Sequence, residues 1–191
     1  RSSMNICEAN EHVPEIKRYI RTVKERVRST AATLTFERYL PCSSVEMVYN
    51  CVVWLNSFPH KDGVHATISP RAIMTGQKIT YDKHCKLEFG TYVQTHEKHN
   101  NSMDTRTSGA IALRLSGNEQ GGHYFLSLHT GNRILRNNWT VLPMPNDVVD
   151  TIHRLSAATK QARGVTFTGR NGNIITYNDD EDEKKTQRMN Q

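Results

Sequence analysis

Apolar residues recur at helical spacing across the opening of the chain. Taken at about 100° per residue, Ile16, Ile20, Val23, Val27 and Leu34 share one side of a helix predicted over 11–34. Asn10 is a candidate N-cap, and Pro14 is tolerable only in the first turn. Lys17, Arg21, Lys24 and Arg28 form a second stripe beside the apolar one, less than about 90° wide. Glu15 and Arg26 fall on the far side. A turn near Leu40 and Pro41 follows. Residues 43–58 (SSVEMVYNCVVWLNSF) are apolar nearly all round, which predicts a buried helix, and Ser43 with Glu46 matches a capping box. Pro59 stops it, and 60–63 (HKDG) reads as a turn. A short helix is expected near 70–75, ended by Gly76, and then an irregular connector.

From residue 88 the period changes to two. Runs 91–96, 109–115, 124–129 and 134–142 read as strands, separated by the turn-rich pieces 116–122 and 130–133. In the second run Ile111, Leu113 and Leu115 alternate with Ala and Arg, and Gly131-Asn132 suits a two-residue hairpin turn. Short strands at this spacing suggest a small barrel or sandwich. Residues 143–155 predict a closing helix starting near Asn146 or Asp147, and 165–177 a weak hairpin around Asn171-Gly172. From Asn178 onward the chain is polar and highly charged, and disorder is expected.

Charge sharpens this picture. The 191 residues carry a formal net charge of +6, with pI about 9.2 and mean hydropathy −0.65. That balance favours an anionic partner such as nucleic acid. Residues 14–28 hold six cations against two carboxylates, whereas 179–183 is an unbroken acidic run. No stretch of 18 apolar residues and no charged-then-apolar leader occur, so neither a membrane span nor secretion is expected. The chain opens on Arg1 rather than Met, and the simplest reading is a piece of something longer. Cys7, Cys42, Cys51 and Cys85 are too dispersed for a zinc motif, so reduced thiols are the default.

Three pieces in order carry a family resemblance: 10–28 (NEHVPEIKRYIRTVKERVR), the apolar helix with 54–59 (WLNSFP), and the β segment. Within the β segment, 89–97 (FGTYVQTHE), 106–134 and 139–145 (WTVLPMP) are the most specific. Over about 10–175 the chain resembles the integrase region of Copia-type retrotransposon Pol polyproteins. The resemblance implies an α+β fold: the C-terminal helical end of a truncated RNase H-like core over 1–85 and a small SH3-like β-barrel over 86–145. A helix and linker towards the reverse transcriptase would occupy 146–191. It also implies a parental reaction, strand transfer by an Asp-Asp-Glu triad with Mg²⁺, in the nucleus (or cytoplasm before integration), by a homo-oligomer.

Where the family pattern reads P-E-x-E-R, with the second Glu as metal ligand, this chain has Pro14-Glu15-Ile16-Lys17-Arg18. Lys17 occupies the ligand position, and an ammonium has no lone pair for a hard cation. Glu15, about 160° away around the helix, takes that position only if the register shifts by two. The two aspartates would lie upstream of Arg1. No catalytic residue is therefore assigned, and strand transfer by this chain is not expected.

The candidate interface is the basic stripe of Lys17, Arg21, Lys24 and Arg28 together with Arg18, contacting DNA phosphates without sequence preference. The bland alternative is a solvated helix face. Arg106, Arg114, Arg133 and Arg136 are further candidate cations on the barrel, and Tyr92, Tyr124 and Trp139 the aromatics available for stacking. His123 and His129 would share a strand face and form at most a metal pair. A second function class stays open: a non-enzymatic protein-interaction or oligomerisation piece, with the apolar sides of 11–34 and 43–58 exposed.

Overall fold

The computed structural model describes residues 14–61, 63–97, 103 and 105–159. The candidate N-cap Asn10, Cys7, the 165–177 hairpin and the charged tail lie outside them. Helix α1 spans Pro14–Ala32, with Pro14 in its first turn where a missing N–H costs nothing. Helix α2 is Pro41–Leu55, α3 Pro70–Thr75, α4 Tyr81–His84 and α5 Asn146–Ala158. Strands β1 (Tyr92–His96), β2 (Thr107–Leu115), β3 (His123–Ser127), β4 (Arg133–Arg136) and β5 (Trp139–Val141) form one antiparallel sheet in the order β4-β3-β2-β1-β5.

The connection from β4 to β5 dictates the shape of that sheet. Only Asn137 and Asn138 separate the two edge strands. Three peptide steps reach at most about 11 Å, whereas the edges of a flat five-stranded sheet stand about 19 Å apart. The sheet must therefore curl until its edges approach. The His96 N–H donates to the Asn138 carbonyl at 3.2 Å, and Arg136 pairs with Glu97 at 2.6 Å. The sequence reading joined these two strands into one run over 134–142. The pair of asparagines breaks it, because the chain must cross from one edge to the other.

Strand β2 is buried on both faces from Ala110 to Leu113. Ala110 and Ala112 face the inside of the curl with Val93 and Phe125, and Leu87, Ile134 and Trp139 pack there too. The small alanines leave room for the Phe125 and Trp139 rings, whose centroids lie 5.4 Å apart. Ile111 and Leu113 point the other way, into a core with Leu126, Phe36, Tyr39, Leu40, Val148 and Ile152. This core draws on the segment after α1, the sheet and α5 together, so it spans the divisions placed at 85/86 and 145/146. A third cluster joins α1 to α2 through Val27, Met47 and Cys51.

Several local expectations change. Ser43 is not the cap of α2: the helix starts at Pro41 after an extended Leu40, and no side chain caps it. Only Ser43, Glu46, Met47 and Cys51 of α2 are buried, and Val45 and Tyr49 are each 54% exposed. On α1 the apolar side is covered at Val27, whereas Ile16 and Ile20 are open. Gly76 ends α3 in the left-handed region, the stop expected from sequence, and Ser69 caps its start by accepting from the Ala72 N–H at 3.3 Å. The expected irregular connector contains the single turn α4. The hairpin between β3 and β4 is wider than two residues, running through 128–132 with Gly131 at φ 69°.

One close approach seats the segment after α1 against the start of the sheet. Gly90 sits at φ 88°, its N–H donating to Ala112 O at 2.8 Å. A Cβ there would collide with Leu34.

Candidate nucleic-acid interface

The five cations chosen from sequence lie on one continuous helix, within Pro14–Ala32. Lys17, Arg18, Arg21 and Arg28 are exposed and Lys24 is half-buried at the margin of the covered side. From Lys17 to Arg28 the stripe runs about 16 Å along the axis. That length lets the stripe run past more than one phosphate of a duplex. Arg21 also pairs with Glu25 at 3.6 Å, both side chains being more than half exposed. A pair that open contributes at most about 1 kcal/mol and yields readily to a phosphate.

The cations of the β segment turn out differently. Arg114 and Arg133 both clamp the carboxylate of Glu46, Arg114 at 2.5 Å. Glu46 is 3% exposed, so α2 presents a buried charge that the sheet neutralises. The same two guanidiniums lie over the Tyr124 ring, 4.4 and 4.7 Å from its centroid. Arg136 is held by Glu97. Arg106, the fourth of these cations, is exposed. The aromatics fare likewise. Trp139 packs inside the curl and Tyr92 against the main core, while Tyr124 is flanked by guanidiniums. None offers a base platform, since their faces are already in contact with protein.

The histidine pair does not form. His123 is 2% exposed inside the curl, 4.9 Å from the Trp139 ring, and its Nδ1 lies 3.1 Å from Gly121 O. His129 is exposed in the loop past β3. Burial pushes the His123 imidazole below its ordinary pKa, with the nearby His84 and Lys86 adding to the effect and the Gly121 carbonyl opposing it. A second buried histidine is His84. Its Nδ1 accepts from the Thr80 N–H at 3.1 Å, which leaves Nε2–H to donate to Asn118 O at 3.0 Å. This tautomer, assigned from the network, ties α4 to the 116–122 turn. Thiol chemistry is equally quiet: burial raises Cys42 and Cys51 above the ordinary thiol value, so neither is a ready nucleophile.

Position 17 does not suit a divalent cation. Lys17 repels one, Glu15 leaves the helix on the opposite side, and the most buried carboxylate, Glu46, is taken by two arginines. Among the described residues no cluster of three His, Cys, Asp or Glu side chains could hold a metal. No helix among them is long and apolar enough to cross a membrane. A shallow cleft of about 470 Å³ opens between α1, α2 and the 85–89 segment, lined by Thr30, Asn50, Trp54 and Phe89 among others, away from the basic stripe. The chain matches no protein-family model, no curated protein and no solved structure.

Proposed function

We propose that this chain derives from the integrase region of a Copia-type retrotransposon and binds duplex DNA through α1 without performing strand transfer. The observation that carries this reading is the one-sided stripe of exposed Lys17, Arg21 and Arg28, continued by half-buried Lys24, with exposed Arg18 about 100° around the helix from Lys17. Cations one turn apart repel each other, and a phosphate strand relieves the repulsion while releasing counterions. The curled antiparallel sheet, with β1 between β2 and β5, suits an SH3-like barrel. Helix α1 then stands for the last helix of an RNase H-like core, whose Mg²⁺-binding Glu is replaced by Lys17. Action on nuclear DNA follows from the same reading.

The test is duplex binding by residues 1–191 across a salt series. Four neutralised phosphates give a slope of about −3 to −4 in log affinity against log salt. Reversing Arg21 and Lys24 to Glu should lower affinity and bring the slope to about −2 or shallower. Affinity indifferent to those charges would sink the proposal.

A second reading has its own observation. Ile16, Ile20, Tyr49 and Phe58 are 56%, 46%, 54% and 63% exposed. Apolar surface of that kind on α1, α2 and the turn after α2 favours protein association, including homo-oligomers. Concentration-dependent light scattering separates the two: a monomer at all concentrations argues against association.

A further inference from the structure

The basic face of α1 has a counterpart in the same chain. Asp179, Asp180, Glu181, Asp182 and Glu183 supply five consecutive carboxylates, against Lys17, Arg18, Arg21, Lys24 and Arg28. We infer that the acidic run 179–183 docks on this face of α1 and competes with duplex DNA for it. The competition rests on the DNA reading above, whereas the docking does not.

Two features of the structure support the inference beyond charge. The first is where the chain leaves the described residues. Near the end of α5, the Ser156 hydroxyl donates to Tyr39 O at 3.3 Å. The Tyr39 hydroxyl in turn donates to Ala31 O, in the last turn of α1, at 3.4 Å. Ala31 is one turn beyond Arg28, so the end of α5 is linked through a single residue to the C-terminal end of the basic helix. The second is reach. Twenty peptide steps from Thr159 to Asp179 span up to about 70 Å. A domain of this size is about 40 Å across. The run can therefore lie along the whole stripe without moving any packed element. Tethering makes the encounter intramolecular, at an effective concentration on the order of millimolar. Exposed single ion pairs are weak, but tethered carboxylates facing the four stripe cations, with Arg18 beside them, act together. Lys184 and Lys185 follow the run and are repelled by the stripe, which confines docking to the acidic residues.

The experiment uses the full chain and a variant with D179N, D180N, E181Q, D182N and E183Q. Zero-length carbodiimide coupling joins a lysine amine to a carboxylate only when they touch, and peptide mass spectrometry locates the joint. The inference expects links from Lys17 or Lys24 to 179–183 within monomers, lost at high salt. It also expects the variant to bind duplex DNA about three- to tenfold more tightly at low salt, with a steeper salt slope, because no tail must be displaced. Links confined to covalent dimers, or no links at all, overturn intramolecular docking even if affinity rises, since a diffuse field effect would then suffice. Links with unchanged DNA affinity overturn the competition. Links in a protein that binds no DNA, with or without the tail charges, keep the docking and reject the DNA reading instead.

Discussion

Glu46 is the residue whose removal most directly tests how α2 is held to the sheet. Its side chain is 4% exposed and that of Arg114 only 16%, with a contact of 2.5 Å. At about 4 Å between charge centres and an effective dielectric of about 20, their attraction is about 4 kcal/mol. Glu46→Gln keeps the shape and removes the charge, leaving the Arg114 guanidinium largely buried with no counter-ion. Breaking a buried pair in this way costs about 3–5 kcal/mol. Urea unfolding reads this directly. With m near 2 kcal/mol/M, the midpoint should fall by about 1.5–2.5 M. Replacing Glu46 and Arg114 together by Met should recover most of the loss, because neither charge then remains to be solvated. Arg133, whose side chain is 46% exposed, should matter much less than Arg114 when changed to Gln. A Glu46→Gln cost below about 1 kcal/mol would refute the argument, for it would place this cluster with ordinary surface pairs.

Further expectations follow from burial. His123 is held neutral inside the curl; the unfolded imidazole protonates near 6.5, so stability present above that pH should drain away as pH falls towards the depressed folded pKa. His123→Phe should flatten the dependence in that window, measured as urea midpoint against pH. Gly90→Ala forces a side chain into φ 88° and against Leu34; thermal unfolding should show a loss of more than about 1 kcal/mol. Ile111→Ala, in the main core at 1% exposed, should cost about 2–5 kcal/mol. Ile16→Ala, 56% exposed, should change stability by less than about 0.5 kcal/mol. Equal effects at these two isoleucines would mean that α1 is covered by another surface in solution.

Local chemistry alone determined a good deal of this protein. Helical spacing placed α1 and its cation stripe, Gly76 marked the end of α3, and alternation located β1, β2 and β3, because caps, turns and periods are properties of a few neighbouring residues. What the sequence left undecided depended on partners far along the chain. Ser43 and Glu46 have capping-box spacing, yet Glu46 turns to Arg114 and Arg133, 68 and 87 residues away, because two guanidiniums outbid one backbone N–H. The alternation in β2 marked Ile111 and Leu113 as the buried face. The curl of the sheet buried Ala110 and Ala112 as well, since a curled sheet under helices has two interiors. Ile16 and Val27 share one apolar side in the sequence, and only packing against Met47 and Cys51 decided that Val27 is core and Ile16 is surface. Periodicity tells which side of an element is apolar. Whether anything covers that side is set by the length and path of the other elements, which no local pattern encodes.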